Sequence, residues 1–319
     1  MNKTIKGYAM GAVAAGTYGL NPMFTLPLYK VGMDADSVLF LRYLIALPLL
    51  AAMILCRRRS FRLTSRQLVS TMLLGLLVAL SSLTLFLSYN YMDAGVASTI
   101  LFVYPVLVAV IMALFFHERL SMLTALCIVL ATVGIGMLMK SGSGGAMLSL
   151  TGVALVLGSA LSYAIYIVAV NRSSLKNVAT LVITFYVLLF GVLLFVARLF
   201  MAGGVTTPPS DQWWLWGCLV GLAVFPTAIS FVCTNTAIQC IGSTPTAILG
   251  ALEPLTAVVI GVTMFGEALT PRICGGLVLI VVAVSLVVGG NSVSTALVRV
   301  RRLFPKLKNH KRNNPQNNR

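Results

Sequence analysis

The 319 residues are 59% hydrophobic and only 9% charged, against roughly 25% charged in an ordinary soluble domain. That composition excludes a soluble globular chain and predicts an all-α membrane protein, each span needing about 20 mostly apolar residues to cross a hydrocarbon layer ~30 Å thick. A formal charge of +16 would suggest nucleic acid in a soluble protein, but eight of the 23 Lys/Arg lie beyond Asn291 in a basic tail. Such a tail is expected to be disordered and to lie against anionic headgroups; no groove-reading fold accompanies it, so no nucleic-acid partner is expected.

Ten apolar runs divide the chain: Gly7–Leu28, Ala35–Cys56, Gln67–Ser88, Val96–Phe116, Met122–Met139, Leu148–Val170, Val178–Phe200, Trp213–Asn235, Thr244–Phe265 and Arg272–Gly289. The first run carries Asn21, Pro22 and Pro27 and lacks a small-residue cleavage signal after a short apolar core, so it reads as a retained helix, not a signal peptide. Because Lys and Arg accumulate in cytoplasmic links, a cytoplasmic N-terminus is favoured: it places 18 of the 23 basic residues inside and leaves only Lys30, Lys140, Arg198 and Arg272 outside. Ten spans then return the C-terminus to the cytoplasm. The six cysteines show neither metal-type spacing nor a disulfide framework and read as small packing residues.

The chain contains itself twice. Pro105, Glu118 and Ser121 recur as Pro254, Glu267 and Thr270, each 149 residues later, and Thr17-Tyr18 in the first run resembles Ser162-Tyr163 in the sixth. Gly-rich residues 141–145 mark the join between a first unit at 7–140 and a second at 148–290, with the basic tail at 291–319. With five spans per unit, an odd number, the second unit enters the membrane inverted relative to the first, an architecture used by secondary transporters.

Glu253 is the sole acidic residue well inside a run, where the first unit has Tyr104. A carboxylate at that depth must face a cavity, find a partner or hold a proton. Its helix shows Thr246, Gly250, Ala257 and Gly261 on the same face, small side chains that admit a close helix or leave open volume. Arg42 is the sole basic residue well inside a run; it can snorkel to the interface, pair with Glu253, or bind an acid group through its guanidinium fork. If Arg42 takes an acid group and Glu253 an ammonium or a proton, the cargo is a small zwitterion.

The paired motifs Pro105 with Glu118-Arg119-Leu120 and Pro254 with Glu267-Ala268-Leu269, in two five-helix halves, resemble the EamA-type family of the drug/metabolite transporter superfamily. The resemblance implies ten helices in an inverted repeat, a central cavity lined mainly by spans one to four and six to nine, and movement of small metabolites, often outward. Tyr18, Asn21, Tyr104, Tyr163, Tyr166 and Asn235 join Glu253 and Arg42 as candidate solute- or proton-binding residues on the spans the resemblance assigns to the cavity. Pro105 and Pro254 each remove a helix hydrogen bond and are expected to act as hinges; Glu118 and Glu267 are expected at gates or hairpins, with Ser121 and Thr270 capping the following helices. Trp213, Trp214 and Trp216 at a span start suit interfacial anchoring.

The expectation is a secondary transporter of small polar, amino-acid-like metabolites in the cytoplasmic membrane, an exporter with proton coupling, monomeric or homodimeric, without cofactor or metal. No Walker-type phosphate loop is present. The alternatives are a membrane-integral enzyme on lipid-linked substrates, for which His117 and His310 make a poor catalytic set, and a sensory or scaffold bundle.

Overall fold

The computed structural model describes residues 2–92, 97, 100–117, 121–138, 149–173, 175, 178–202, 204–265, 270–272 and 274–286. Among these every regular element is helical. In chain order they are α1 (Lys3–Tyr18), α2 (Asn21–Lys30), α3 (Ala35–Cys56), α4 (Ser65–Ser88), α5 (Tyr104–Phe116), α6 (Met122–Leu138), α7 (Leu150–Arg172), α8 (Thr180–Ala202) and α9 (Trp213–Leu222). A π-helical segment, Ala223–Ile229, continues α9 into α10 (Ser230–Ile241), followed by α11 (Ser243–Leu249) and α12 (Leu252–Phe265), then α13 (Cys274–Leu286). Five of these are long and apolar enough to cross a membrane: α3, α4, α7, α8 and the continuous stretch Trp213–Ile241.

Several starts follow from short polar side chains that satisfy otherwise orphaned first-turn N–H groups. Asp34 accepts from the Ser37 N–H at 3.0 Å ahead of α3, Thr64 and Gln67 form a reciprocal capping box at α4, and Ser121 accepts from the Thr124 N–H at 3.0 Å at α6, the cap its position predicts. Gly242, at φ +89°, reverses the chain between α10 and α11 in a conformation that a residue bearing a Cβ rarely adopts.

Three predicted spans are interrupted. The first breaks at Gly19–Leu20, and Pro22, which lacks an N–H, sits in the opening turn of α2, where no hydrogen bond is lost. The fourth has a turn at Phe102–Val103 before Pro105 in the opening turn of α5, and the ninth a turn at Gly250–Ala251 before Pro254 in α12. Both prolines therefore open the second piece of a broken span rather than kinking a continuous helix. Broken backbone is tolerated at membrane depth only where protein or a cavity surrounds it. Glu118 and Glu267 lie outside the described residues.

The two units interlock, α1 of the first packing on α10 of the second and α4 of the first on α7 of the second. The internal repeat reappears at atomic level. A Cβ on Gly7 would stand 2.7 Å from Cys240 and 2.6 Å from Ile241, and one on Gly152 would stand 3.1 Å from Tyr91 and 2.7 Å from Met92. Gly152 follows Gly7 by 145 residues, and Cys240 and Ile241 follow Tyr91 and Met92 by 149. The same two offsets relate a pair of hydrogen bonds: Ser81 Oγ donates to Ser159 O at 3.1 Å, and Ser230 Oγ to Ala14 O at 2.9 Å. The first contact adds a reciprocal bond from Ser159 Oγ to Ser81 O at 2.7 Å, which Ala14 cannot make.

Candidate functional site

The breaks in the first and ninth spans meet. A Cβ on Gly19 would lie 2.6 Å from the Glu253 carbonyl oxygen, so only glycine lets the start of α12 press against the end of α1, and Glu253 there lines a cavity. The cavity is walled also by Ala14 and Tyr18 of α1, Tyr104 of α5, Tyr163 of α7, Thr234 of α10 and Gly250 of the ninth-span turn, among others. Both repeats thus contribute, while α3, α4 and α8 contribute none of its lining residues.

The aromatic side is ordered by ring packing. Tyr104 and Tyr163 meet edge-to-face at 5.1 Å between centroids, Tyr163 stacks on Tyr166 at 6.0 Å, and Tyr166 meets Phe231, geometries that aromatic quadrupoles favour. Tyr104 Oη donates to Ala247 O at 3.2 Å, across the broken ninth span. The Glu253 carboxylate makes no hydrogen bond or ion pair among the described residues, and the Tyr18 and Tyr163 hydroxyls likewise have no protein partner there. One carboxylate and two phenols therefore keep their bonding capacity for whatever enters. The cavity volume is about 20 Å³, room for about one water and far below the ~300–1,000 Å³ of small-molecule pockets. In this conformation the cavity is too small for a metabolite, which enters only if the walls separate.

The candidate residues fall into three groups. Glu253, Tyr18, Tyr104 and Tyr163 share the cavity. Tyr166 and Asn235 lie beside it in a neutral network, Tyr166 Oη donating to Asn235 Oδ1 at 2.8 Å and Asn235 Nδ2 to Thr184 Oγ1 at 2.9 Å. Arg42 and Asn21 form the third group. Arg42 is fully buried; its Nε donates to Thr227 Oγ1, Nη1 to Asn21 Oδ1 at 3.0 Å and Nη2 to Pro226 O at 3.3 Å. The guanidinium carbon also lies 5.7 Å from the Phe86 ring centroid. Neither snorkelling to an interface nor a salt bridge to Glu253 is observed in this conformation.

Sequence reasoning missed Thr234, Thr184 and Thr25, single hydroxyls in apolar runs that carry no signal without a fold. It also missed the π-helical segment, for which Pro226 was the available sign. Proline cannot donate, and Thr227 Oγ1 donates to Leu222 O at 2.7 Å in the same turn. Among the described residues no group of His, Cys, Asp or Glu is arranged to hold a metal.

A helical membrane bundle built from two repeats around a small, polar-aromatic cavity defines a transporter-type fold. The model of the EamA-like transporter family matches residues 5–140 and 150–289, and the chain belongs to that family; it is a multi-pass membrane transporter. An uncharacterized transporter of Archaeoglobus fulgidus is 30% identical over 249 residues, 77% of this chain and 84% of that protein. Uncharacterized transporter YvbV of Bacillus subtilis is 28% identical over 71% of this chain and 75% of its own length. The threonine/homoserine exporter RhtA of Salmonella typhimurium is 25% identical over 82% of each chain. A solved crystal structure superposes with TM-score 0.72 at 20% identity, covering 93% of this chain and 98% of the other, and shows the same fold.

Proposed function

We propose that this protein is a secondary active exporter of small polar, amino-acid-like metabolites, working by alternating access in the cytoplasmic membrane. In this reading ten spans form two inverted five-helix halves with both termini cytoplasmic, and the protein acts as a monomer or homodimer. The observation that carries it is the unpartnered Glu253 carboxylate in a cavity built by both repeats. An ionisable group at that depth is costly unless it exchanges partners during the cycle, and a proton and a cargo ammonium are the partners its chemistry fits. The likeness to proteins named threonine/homoserine exporters supports amino-acid-like cargo. Tyr18, Tyr104 and Tyr163 offer ring faces and hydroxyls to the same cargo, and Tyr166 and Asn235 brace that wall. The breaks before Pro105 and Pro254 serve as hinges when the halves rock, with Glu118 and Glu267 at the gates.

The test is flux of L-amino acids in proteoliposomes under an imposed pH gradient. Wild-type protein is expected to show gradient-driven accumulation; Glu253→Gln is expected to lose it while retaining the fold. Full gradient-driven transport by Glu253→Gln would sink the coupling role.

A further inference from the structure

We propose that Arg42, Asn21 and Thr25 form a carboxylate-binding site separate from the Glu253 cavity, so that the cargo is held by its acid group as well as its ammonium. This rests on the transport reading above. Arg42 is 0% exposed about two turns into α3, and each acceptor it uses, Thr227 Oγ1, Asn21 Oδ1 and Pro226 O, is neutral. A buried cation without a counter-charge is costly and is retained where something anionic visits it.

The hydrogen-bond count points the same way. A guanidinium has five N–H donors, and three bonds from Arg42 are seen. The Asn21 amide that accepts from Arg42 leaves its own Nδ2 buried with no partner, and Thr25 Oγ1 is buried and unpartnered too; the two residues lie four apart in α2 and therefore share a face. Buried polar groups are nearly always bonded, so two orphans on the helix face that carries Asn21, beside a cation whose partners are neutral acceptors and the Phe86 and Tyr43 rings, mark a set of unspent donors. What the cluster lacks is an acceptor bearing negative charge. A carboxylate supplies both, and its two oxygens match the fork of the guanidinium.

A purely structural latch is the competing account. Arg42 does join α3 to the π-helical turn, since Thr227 both accepts from Arg42 and donates to Leu222 O. A latch explains the three bonds; it explains neither the full charge, which a neutral amide would avoid, nor the orphans. The site is also placed for a dipolar cargo. Tyr18 ends α1 on the cavity wall and Asn21 begins α2 in the Arg42 cluster. The break in the first span thus lies between a wall residue of the acidic cavity and a partner of Arg42, three residues apart in sequence.

The experiment uses the full-length purified protein and a panel of L-amino acids with their matching amides, read by thermal shift and by proteoliposome flux. Acids are expected to bind about tenfold or more tightly than their amides, the worth of a bond to a charged group. Arg42→Gln is expected to bring the two within about twofold. Asn21→Asp fixes a carboxylate beside Arg42 and is expected to raise the melting temperature while abolishing acid binding. Amides that bind wild-type protein as well as the acids do would overturn the site, as would a stabilised Asn21→Asp protein that still binds acids normally. If Arg42→Gln fails to fold, the wild-type acid-to-amide ratio and Asn21→Asp decide. Acid-selective binding without gradient-driven flux rejects the transport reading alone, flux without acid selectivity rejects this site alone, and absence of both rejects both.

Discussion

At the scale of single residues the cavity depends on what is missing as much as on what is present. A Cβ on Gly250 would overlap the Tyr104 hydroxyl, which in turn donates to Ala247 O. Gly250→Ala must therefore expel the tyrosine or shift the turn, and overpacking of this kind typically costs about 1–3 kcal/mol. Thermal unfolding is expected to show a lowered melting temperature for Gly250→Ala. Gly136→Ala, whose Cβ meets nothing within 4 Å, is expected to be neutral or stabilising by up to about 1 kcal/mol, the helix-propensity gain. Tyr104→Phe deletes the clashing oxygen, so the double variant is expected to be less destabilised than the sum of the singles. Strict additivity would show that the two residues do not compete for that volume.

At the scale of elements, caps give the sharpest forecast because their partners are local. Asp34 Oδ2 accepts from the Ser37 N–H ahead of α3. Burial alone raises the Asp34 carboxyl, but hydrogen bonds from Ser37 and Thr206 outweigh it and hold the group below its usual value. A depressed carboxylate stabilises the fold above its unfolded pKa, about 3.9, and that contribution is lost as pH falls through the lower folded value. Asp34→Ala is expected to cost about 1 kcal/mol at neutral pH. Asp34→Asn is expected to cost less and to converge with wild type on acidification; a gap that widens in acid would contradict the sign. Caps such as Ser121 were legible because they depend on neighbours within three residues. The breaks at Gly19–Leu20, Phe102–Val103 and Gly250–Ala251 were not, since a two-residue turn leaves the hydropathy of a run unchanged. Glu253 and Arg42 were legible as isolated charges at depth, and Tyr104 as the residue Glu253 replaces. Their separate surroundings were not, because Arg42 meets Thr227 and Pro226 across 185 and 184 residues of chain.

At the scale of the whole molecule the repeat predicts matched closures at two ends, and the structure shows them unequal. At one end the Thr206 N–H donates to Ser37 Oγ at 2.8 Å; at a place related by the repeat, Tyr186 Oη donates to Phe61 O at 2.9 Å, and Thr206 follows Phe61 by 145 residues. Each bond ties a link of one unit to a helix of the other. Among the described residues, only the Ser37 end adds a bidentate ion pair, Arg198 Nε to Asp36 Oδ1 at 2.7 Å and Nη2 to Asp36 Oδ2 at 3.0 Å. The positions 145 residues away are Leu181 and Met53, which carry no charge. Closure at the Asp36 end is thus partly electrostatic, and with the Arg198 side chain 42% exposed the pair is screened and worth at most about 1 kcal/mol. Asp36→Asn is expected to speed hydrogen exchange at the Thr206 amide by up to about fivefold. High salt is expected to do the same to wild type and to add little to the variant. Exchange at Thr206 that ignores both the substitution and the salt would mean that the ion pair does not hold this end and that the asymmetry of charge does not bias which side opens.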